Sequence, residues 1–474
     1  MKESLRFSRL SRLYECCVNN SYYYVLRNSV LNYSFLLGEQ EFSQVIEHIN
    51  KRELDPLIVQ LRKAHILVER DYKEEKFLNY LKEKYNLDKP LINMFYFMFD
   101  SECNLNCKYC YVEKNFLKKF RKQKTNKATF EKLLLFLEKF IIEGIKNKKV
   151  DTDLSFIFYG SEPLLYPLQV EMLIKRIIYL SKKHKFKKEI KIITNGTLLN
   201  PELISMFKKY GVHLAVSLDG PCKVNDSMRQ FPDGSGSYKK IIKFINCLNE
   251  KKQPFCISCT VGPHNMQKLK SMVLLAKNLG AKELGFNALL DKTNKLIPFV
   301  STNLSSDFIL AASKFAQSKT LYEDRFQKRI DCFNNFLPYL KDCGASGNQI
   351  VFYPDGEIGV CQAYMGSRKF IIGNLNKDIK NPLKILNSSF FRDWAKRFSL
   401  NLDECKFCPA VGICGGGCIF NAHKKSGNIF GRDKDFCVYI HKLFEYLLTT
   451  SLNERFKTED IYIRDISFMF NHSV

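Results

Sequence analysis

The chain has 474 residues, 45% of them hydrophobic, and its 74 basic against 49 acidic side chains leave a formal net charge of +25. This length exceeds what one hydrophobic core usually serves, so we expect two or three domains. No apolar run reaches membrane-spanning length and the N-terminus lacks an apolar signal segment, which predicts a cytoplasmic protein without a membrane partner. The 17 cysteines then indicate metal binding, because disulfides are rare in that compartment.

The basic residues run through every segment of the chain. A basic surface attracts acidic peptides or nucleic acid over long distances. No Arg/Lys stripe with interleaved aromatic residues is present, so a nucleic-acid partner is not expected. A nucleic-acid-modifying enzyme is a hypothesis that rests on charge alone.

Residues 1–91 predict a separate N-terminal module. The β-prone stretch 22–36 is interrupted by the polar pair Asn28-Ser29, which predicts a hairpin. Apolar spacing predicts helices near residues 42–49, 57–64 and 73–85, with a short strand at 66–69. A strand pair with helices is the composition of a small winged-helix-like module. No motif here decides whether the module binds a partner or only packs against the rest of the chain.

Residues 92–320 alternate between strand and helix. Strands are predicted at residues 94–99, 154–159, 190–194, 213–218, 255–261 and 283–288. Helices are predicted at residues 130–144, 167–182, 201–208, 238–250 and 266–279. This alternation implies a parallel sheet, in which chemistry gathers at the C-terminal ends of the strands.

Three cysteines, Cys103, Cys107 and Cys110, follow the first of these strands on one short loop. Three thiolates can hold three irons of a four-iron, four-sulfur cube, which leaves the fourth iron open to chelate a small molecule through an amine and a carboxylate. The alternative is a zinc loop, although structural zinc normally has four ligands.

With an aromatic residue, Tyr109, before the last cysteine, this spacing resembles the signature of radical S-adenosylmethionine (radical SAM) enzymes. The segment from Tyr159 to Pro163 resembles the Gly-Gly-Glu-Pro element of that family, with Ser161 in place of the second glycine. Thr194-Asn195-Gly196 matches its Thr-Asn-Gly element, and Ser217-Leu218-Asp219-Gly220 ends the next strand. The resemblance implies a partial (β/α)6 TIM-like barrel and a [4Fe-4S] cluster that reductively cleaves SAM to a 5′-deoxyadenosyl radical.

The resemblance also implies which residues contact SAM. Tyr109 would flank the adenine, and Glu162 would pair with the methionyl ammonium where small residues let the backbone approach. Ser217 and Arg229 would bind the ribose and the methionyl carboxylate, and Asn287 would lie on the adenine side. The cofactor-binding residues predicted in this way are Tyr109, Gly160, Ser161, Glu162, Pro163, Asn195, Ser217, Asp219, Arg229 and Asn287.

Residues 343–450 contain a second set of cysteines, which resembles the cysteine-rich SPASM domain. By that resemblance Cys405, Cys408, Cys414 and Cys437 ligate one auxiliary [4Fe-4S] cluster, and Cys343, Cys361 and Cys418 hold a second. Two zinc knuckles are the alternative for the same residues. Residues 321–342 are predicted as a bridge between the domains, and residues 451–474 form a tail without a motif.

Radical SAM proteins with a SPASM domain divide mainly into maturases of ribosomally made peptides and sulfatase-maturating enzymes. In the family resemblance, the barrel of the sulfatase-maturating enzymes starts near the N-terminus. An Asp directly after their second SPASM cysteine is the proposed base. This chain has about ninety residues before the barrel, and Gln362 follows Cys361. Both features favour a peptide maturase over an anaerobic sulfatase-maturating enzyme that oxidises Cys or Ser to formylglycine.

The resemblance implies a radical SAM peptide maturase that abstracts a hydrogen from a residue of a precursor peptide. The product would be a thioether or C–C cross-link, or an epimer. The implied partners are the precursor peptide, with its leader on the N-terminal module, and a low-potential electron donor such as flavodoxin or ferredoxin. No catalytic acid or base can be assigned beyond the cluster. The competing class is a peptide-binding or electron-delivery protein whose SAM site is idle.

Overall fold

A computed structural model describes residues 4–51, 55–110, 124–289 and 303–471 of the chain. The strands in these ranges are β1 Leu5–Phe7, β2 Ser11–Val18, β3 Ser21–Asn28, β4 Ser34–Gly38, β5 Leu67–Glu69, β6 Ile92–Phe97, β7 Val150–Phe158, β8 Lys187–Thr194, β9 His213–Ser217, β10 Phe255–Val261, β11 Glu283–Ala288, β12 Tyr322–Glu323, β13 Gln349–Phe352, β14 Glu357–Gly359, β15 Ile371–Asn374 and β16 Tyr462–Asp465.

The α-helices in the same ranges are α1 Glu39–Lys51, α2 Pro56–Lys63, α3 Glu74–Lys84, α4 Lys127–Lys146, α5 Pro167–His184, α6 Pro201–Tyr210, α7 Cys222–Met228, α8 Tyr238–Glu250, α9 Leu269–Asn278, α10 Asn303–Ser318, α11 Asp324–Asn334, α12 Leu375–Asp378, α13 Ser389–Ala395, α14 Val411–Cys414, α15 Ile419–Ser426, α16 Lys434–Phe456 and α17 Ser467–Asn471. Within the part of the chain that the structure describes, no helix is both long and apolar enough to cross a membrane.

The chain divides into two compact units. The barrel unit consists of Lys89–Arg325 and Gly344–Lys396, and the terminal unit consists of Met1–Asp88, Phe326–Cys343 and Arg397–Val474. The predicted domain bounds, at residues 91, 320, 342 and 450, stay a prediction about family organisation.

The barrel unit contains one sheet of ten strands in the order β12-β11-β10-β9-β8-β7-β6-β13-β14-β15. Strands β6 to β11 are parallel to their neighbours, and helices connect them as the alternating pattern predicted. Fully buried phenylalanines pack between the strands and the helices; the rings of Phe95 and Phe156 stack with centroids 5.3 Å apart. All six predicted parallel strands are therefore present, and their C-terminal ends lie at one edge of the sheet.

The terminal unit contains a four-stranded antiparallel sheet in the order β16-β2-β3-β4. The predicted hairpin is confirmed as β3 and β4, with Val25 opposite Leu36. The strand β16 comes from the tail, for which the sequence had predicted no element, and pairs with β2, where Arg464 lies 2.9 Å from Glu15. Residues at both ends of the chain thus form one sheet, and Ile466 is buried in the same apolar cluster as Leu13 and Leu26.

Candidate active site

The three-cysteine loop leaves β6 at the C-terminal edge of the sheet. Backbone hydrogen bonds hold it to the C-terminal end of α7 and the residues that follow. The Asn106 amide donates to the Gln230 carbonyl at 2.6 Å, and the Lys108 amide donates to the Met228 carbonyl at 3.0 Å. Cys103 accepts bonds at its sulfur from the Leu105 amide at 3.4 Å and from Nδ2 of Asn195 at 3.5 Å.

These contacts test whether the loop suits an iron–sulfur cluster. Donors aimed at a sulfur stabilise its thiolate form, which is the form that binds metal. Burial raises the pKa of Cys103 to about 12 and that of Cys107 to about 11, so both are neutral thiols without a metal. Three thiols on one loop, with polar donors at one of them, fit a cluster held by Cys103, Cys107 and Cys110.

Glu162 ties the end of β7 to the end of β8. Its buried carboxylate accepts hydrogen bonds from the Thr194 hydroxyl at 2.8 Å, the Asn195 amide at 2.6 Å and the Leu164 amide at 2.9 Å. Burial raises the pKa of Glu162 to about 7, against the effect of those hydrogen bonds. The glutamate therefore positions the backbone of the Thr194-Asn195-Gly196 element, and its contact with the SAM ammonium stays a prediction.

The turn before Glu162 requires unusual backbone angles at Gly160 and Ser161. Gly160 has φ +80°, and a Cβ there would lie 2.0 Å from Cε of Met98. Ser161, which stands where the family has glycine, adopts φ 42° in the left-handed region. An L-residue is strained in that region because its Cβ approaches the carbonyl oxygen.

We expect Ser161→Gly to stabilise the chain by about 1 kcal/mol, because glycine adopts this φ without steric strain. The thermal unfolding midpoint measures the change. The matched control is Ser205→Gly on the exposed face of α6, which should lower stability by about 1 kcal/mol because the backbone there is helical. A destabilised Ser161→Gly protein would contradict the assignment of strain to this turn.

Asn195 connects the β8 end to the cysteine loop. Its Nδ2 donates to Oδ1 of Asn104 at 2.8 Å, and Asn104 in turn donates to the Thr197 hydroxyl at 2.8 Å. The Thr197 amide and hydroxyl both donate hydrogen bonds to Oδ1 of Asn195, at 3.0 and 2.6 Å. The structure therefore brings the Thr-Asn-Gly element into direct contact with the loop that follows β6.

Asp219, after β9, is the centre of a buried polar network. Its carboxylate receives a two-point contact from Arg229, at 2.9 and 3.1 Å, and a hydrogen bond from the Tyr109 hydroxyl at 2.5 Å. The Thr260 amide donates to it at 2.9 Å. Burial alone would raise the pKa of Asp219, but the Arg229 charge and these bonds bring it down to about 2.

This network bears on two predicted roles. Tyr109 was expected beside the adenine and Arg229 at the methionyl carboxylate. The structure joins both through one carboxylate, with the Arg229 guanidinium 5.4 Å from the centre of the Tyr109 ring. Their contacts with SAM stay predictions, and the shared contact with Asp219 is an observation that the sequence did not indicate.

His264 is the residue of this site that sequence reasoning missed. It follows β10, its ring lies 5.8 Å from the Tyr109 ring, and its Nε2 is 3.7 Å from the Asp219 carboxylate. Both ring nitrogens are buried without a hydrogen-bond partner. A lone histidine after a strand carries no motif, so only its position at a parallel strand end could have indicated it.

Two predicted residues lie further along the same edge. Ser217 ends β9 opposite Ser258, and Asn287 on β11 lies opposite Thr260. The Asn287 side chain donates to the Ser258 hydroxyl at 3.0 Å and accepts from Arg325 at 3.2 Å. Ser217 and Asn287 therefore lie at the expected edge, and their roles at SAM stay predictions.

In the terminal unit four of the predicted ligands line one cavity. Cys405, Cys408, Cys414 and Cys437 are joined there by Val411, Arg432, Ile440 and His441. Four thiols around one partly apolar space fit a cubane, whose thiolates bind four different irons. No three His, Cys, Asp or Glu side chains in the described ranges are arranged to hold a single metal ion.

The second predicted auxiliary set is distributed over both units. Cys343 and Cys418 belong to the terminal unit, where burial, Asp433 and Cys343 raise the pKa of Cys418 to about 12. Cys361 belongs to the barrel unit, where its carbonyl accepts a hydrogen bond from the Tyr353 hydroxyl at 2.8 Å. This set stays a prediction.

The fold and the site define a class of protein: an α/β enzyme with a mostly parallel sheet, whose strand ends carry a three-cysteine loop and a buried polar network. Residues 101–276 match the family model described as the radical SAM superfamily. Residues 101–276 therefore form a radical SAM domain, and the chain is an enzyme that carries this domain.

Two relatives and one solved structure extend the similarity. The chain is 28% identical over 462 residues to the radical SAM cyclopropyl synthase TigE of Paramaledivibacter caminithermalis, covering 92% of this chain and 91% of that protein. It is 26% identical over 328 residues to AlbA, the antilisterial bacteriocin subtilosin biosynthesis protein of Bacillus subtilis, covering 66% and 64%. SuiB of Streptococcus suis, solved bound to precursor peptide SuiA, has a TM-score of 0.51 at 15% identity over 91% of this chain and 99% of that one.

Sulfatase-maturating enzymes are also among the relatives. The cysteine-type anaerobic enzyme of Clostridium perfringens is 24% identical over 373 residues, which is 74% of this chain and 95% of that protein. The similarity to TigE therefore covers a larger share of this chain than the similarity to this sulfatase-maturating enzyme.

Proposed function

We propose that the protein is a radical SAM peptide maturase, which abstracts a hydrogen from a residue of a ribosomally made precursor peptide. The product is a thioether or C–C cross-link, or an epimer. The observation that carries the proposal is the similarity to the cyclopropyl synthase TigE over 92% of the chain, which leaves little room for a different domain composition. The match to AlbA, named for bacteriocin biosynthesis, supports a peptide as the substrate.

Cys103, Cys107 and Cys110 would hold a [4Fe-4S] cluster, and the chemistry that it would supply when bound is one-electron reduction of SAM. The chain's own residues hold that site rigid. Asp219 fixes the Tyr109 hydroxyl, and Glu162 and Asn195 fix the strand ends beside Cys103. Burial of these groups keeps bulk solvent away from this part of the site.

The cavity lined by Cys405, Cys408, Cys414 and Cys437 is proposed to hold one auxiliary cluster. Cys343, Cys361 and Cys418 are proposed for the second, and a low-potential flavodoxin or ferredoxin for the electron supply. A cytoplasmic location is part of the same proposal.

The precursor's leader is proposed to add as a strand to the sheet of the terminal unit. One edge of that sheet is closed, because β16 pairs with β2, whereas β4 stands at the other edge. The Asn28 amide donates to the Tyr33 carbonyl at 2.9 Å, and the Gly38 amide donates away from β3, to Glu41 at 2.8 Å. By the alternation of an antiparallel pair, the amide of Leu36 also points outward, where an added strand can accept from it.

We expect Leu36→Pro to weaken binding of the precursor peptide, because proline removes this donor while an edge strand tolerates it. The loss of one hydrogen bond corresponds to about 1 kcal/mol, or roughly fivefold in Kd. Fluorescence anisotropy of the labelled precursor encoded beside the gene measures it. Leu36→Ala is the matched control that keeps the amide, and equal affinities of the two variants would contradict this edge as the leader site.

In the sulfatase-maturating alternative, the proposed base is an Asp directly after the second SPASM cysteine. Gln362 occupies that position, and its amide oxygen accepts a hydrogen bond from Gln349 at 3.2 Å. A neutral amide cannot accept a proton at physiological pH. The arrangement therefore favours the peptide maturase.

The experiment that tests the proposal is anaerobic co-expression with the short peptide encoded beside the gene, followed by exact mass and fragmentation. Loss of two hydrogens at a defined residue supports a cross-linking maturase. Unchanged mass with deuterium uptake at an α-carbon supports an epimerase. An unmodified peptide, with SAM still cleaved, would overturn the proposal for that peptide and favour the sulfatase alternative.

A further inference from the structure

His441 lines the four-cysteine cavity of the terminal unit, yet the family resemblance gave it no role. It lies on α16 four residues after Cys437, so both side chains project from the same face of that helix. Its Nε2 is 3.3 Å from the sulfur of Cys408, which enters the cavity from the loop before α14. One helix thus supplies both a ligand and a polar contact to a second ligand.

The direction of this contact follows from the chemistry of a bound thiolate. A cysteine that ligates iron has lost its proton, so its sulfur can only accept hydrogen bonds. The facing Nε2 must then carry the hydrogen, because two acceptors would repel each other at 3.3 Å. His441 therefore donates to Cys408 when the cavity holds a cluster.

Hydrogen bonds to ligand sulfurs withdraw electron density and favour the reduced, more negative state of a cluster. The same cavity is lined by the Arg432 guanidinium, whose Nε lies 3.3 Å from Glu404. The Arg12 side chain donates to the carbonyl of Phe407, next to Cys408. Of these three side chains, His441 is the one with a direct contact to a cysteine sulfur, at 3.3 Å from Cys408.

We propose that His441 is a positioning residue that raises the reduction potential of the cluster bound by Cys405, Cys408, Cys414 and Cys437, by donating a hydrogen bond from Nε2 to the Cys408 sulfur. This inference rests on the auxiliary cluster of the proposed function. With this hydrogen bond, the cluster accepts an electron more readily than a cluster held by the four thiolates alone. That property suits a cluster that takes up the surplus electron left when a substrate radical forms a new bond.

The test uses anaerobically reconstituted full-length protein with Cys103, Cys107 and Cys110 replaced by alanine, so that only auxiliary clusters remain. Electron paramagnetic resonance during a redox titration gives their midpoint potentials. In His441→Leu the midpoint potential of one cluster should fall by about 59 mV. For a one-electron couple this lowers the ratio of reduced to oxidised cluster about tenfold at a given potential. His441→Gln, which keeps an N–H donor, should restore most of the potential. His213→Leu, at an exposed site on β9 in the barrel unit, should leave it unchanged.

Unchanged midpoints in His441→Leu, or an equal fall in His441→Leu and His441→Gln, would overturn the inference. Iron and sulfide counts accompany every titration. Iron loss in His441→Leu with full iron in His441→Gln supports the donor role, whereas iron loss in both overturns it. If the protein with Cys103, Cys107 and Cys110 replaced by alanine bound no iron at all, the proposal of auxiliary clusters would be overturned as well.

Discussion

Replacing Cys103, Cys107 and Cys110 together by alanine should abolish release of 5′-deoxyadenosine from SAM. The physical reason is that these thiols are the proposed cluster ligands, and a cluster held by three thiolates leaves one iron open for SAM. Iron content should fall by about four atoms per chain. Liquid chromatography of the reaction with a chemical reductant measures the product, and a colorimetric assay measures the iron.

The matched control for this triple substitution is Cys222→Ala. Cys222 is exposed at the start of α7 and was given no role, so its loss should change neither quantity. If 5′-deoxyadenosine were still released by the triple variant, the radical would not arise at this loop. Loss of the product also separates an enzyme from a protein whose SAM site is idle, since only the enzyme depends on these thiols for turnover.

The sequence predicted those elements whose signals are local. The six parallel strands have apolar runs bounded by turn residues, and the strands β10 and β11 were predicted with the bounds that the structure shows. The cysteine spacing predicted two sets of metal ligands, and that assignment stays a prediction. In each case neighbouring residues carry the whole pattern.

The missed features depend on contacts between distant residues. Tyr462–Asp465 is too short to predict a strand, and it forms one only because β2, more than four hundred residues earlier, offers an edge. The link between His264 and Asp219 likewise requires two strand ends to be neighbours in the sheet. Arg229 shows the same limit: its motif predicts a carboxylate partner, but not that Asp219 of the chain itself would supply one.

The pair of Asp219 and Arg229 leads to the second large effect. Asp219→Asn should lower the free energy of unfolding of the barrel unit by about 3–5 kcal/mol, because it leaves a buried guanidinium without its counter-charge. The new amide would also place hydrogens toward Arg229, Tyr109 or the Thr260 amide, all of which donate to this carboxylate. Urea unfolding of the apo protein measures the loss. Asp233→Asn, an exposed carboxylate bonded to Ser235, should change stability by less than about 0.5 kcal/mol.

Adding Arg229→Met to Asp219→Asn decides whether the loss comes from the unpaired charge. Removal of both charges should recover a large part of the stability, because an apolar pair of similar volume avoids the cost of burying an ion. The double variant should nevertheless bind SAM more weakly than the unsubstituted protein, because Tyr109 loses the carboxylate that holds its hydroxyl at 2.5 Å. An Asp219→Asn protein as stable as Asp233→Asn would mean that Arg229 finds another partner. Additive effects of the two substitutions would show that the pair does not couple.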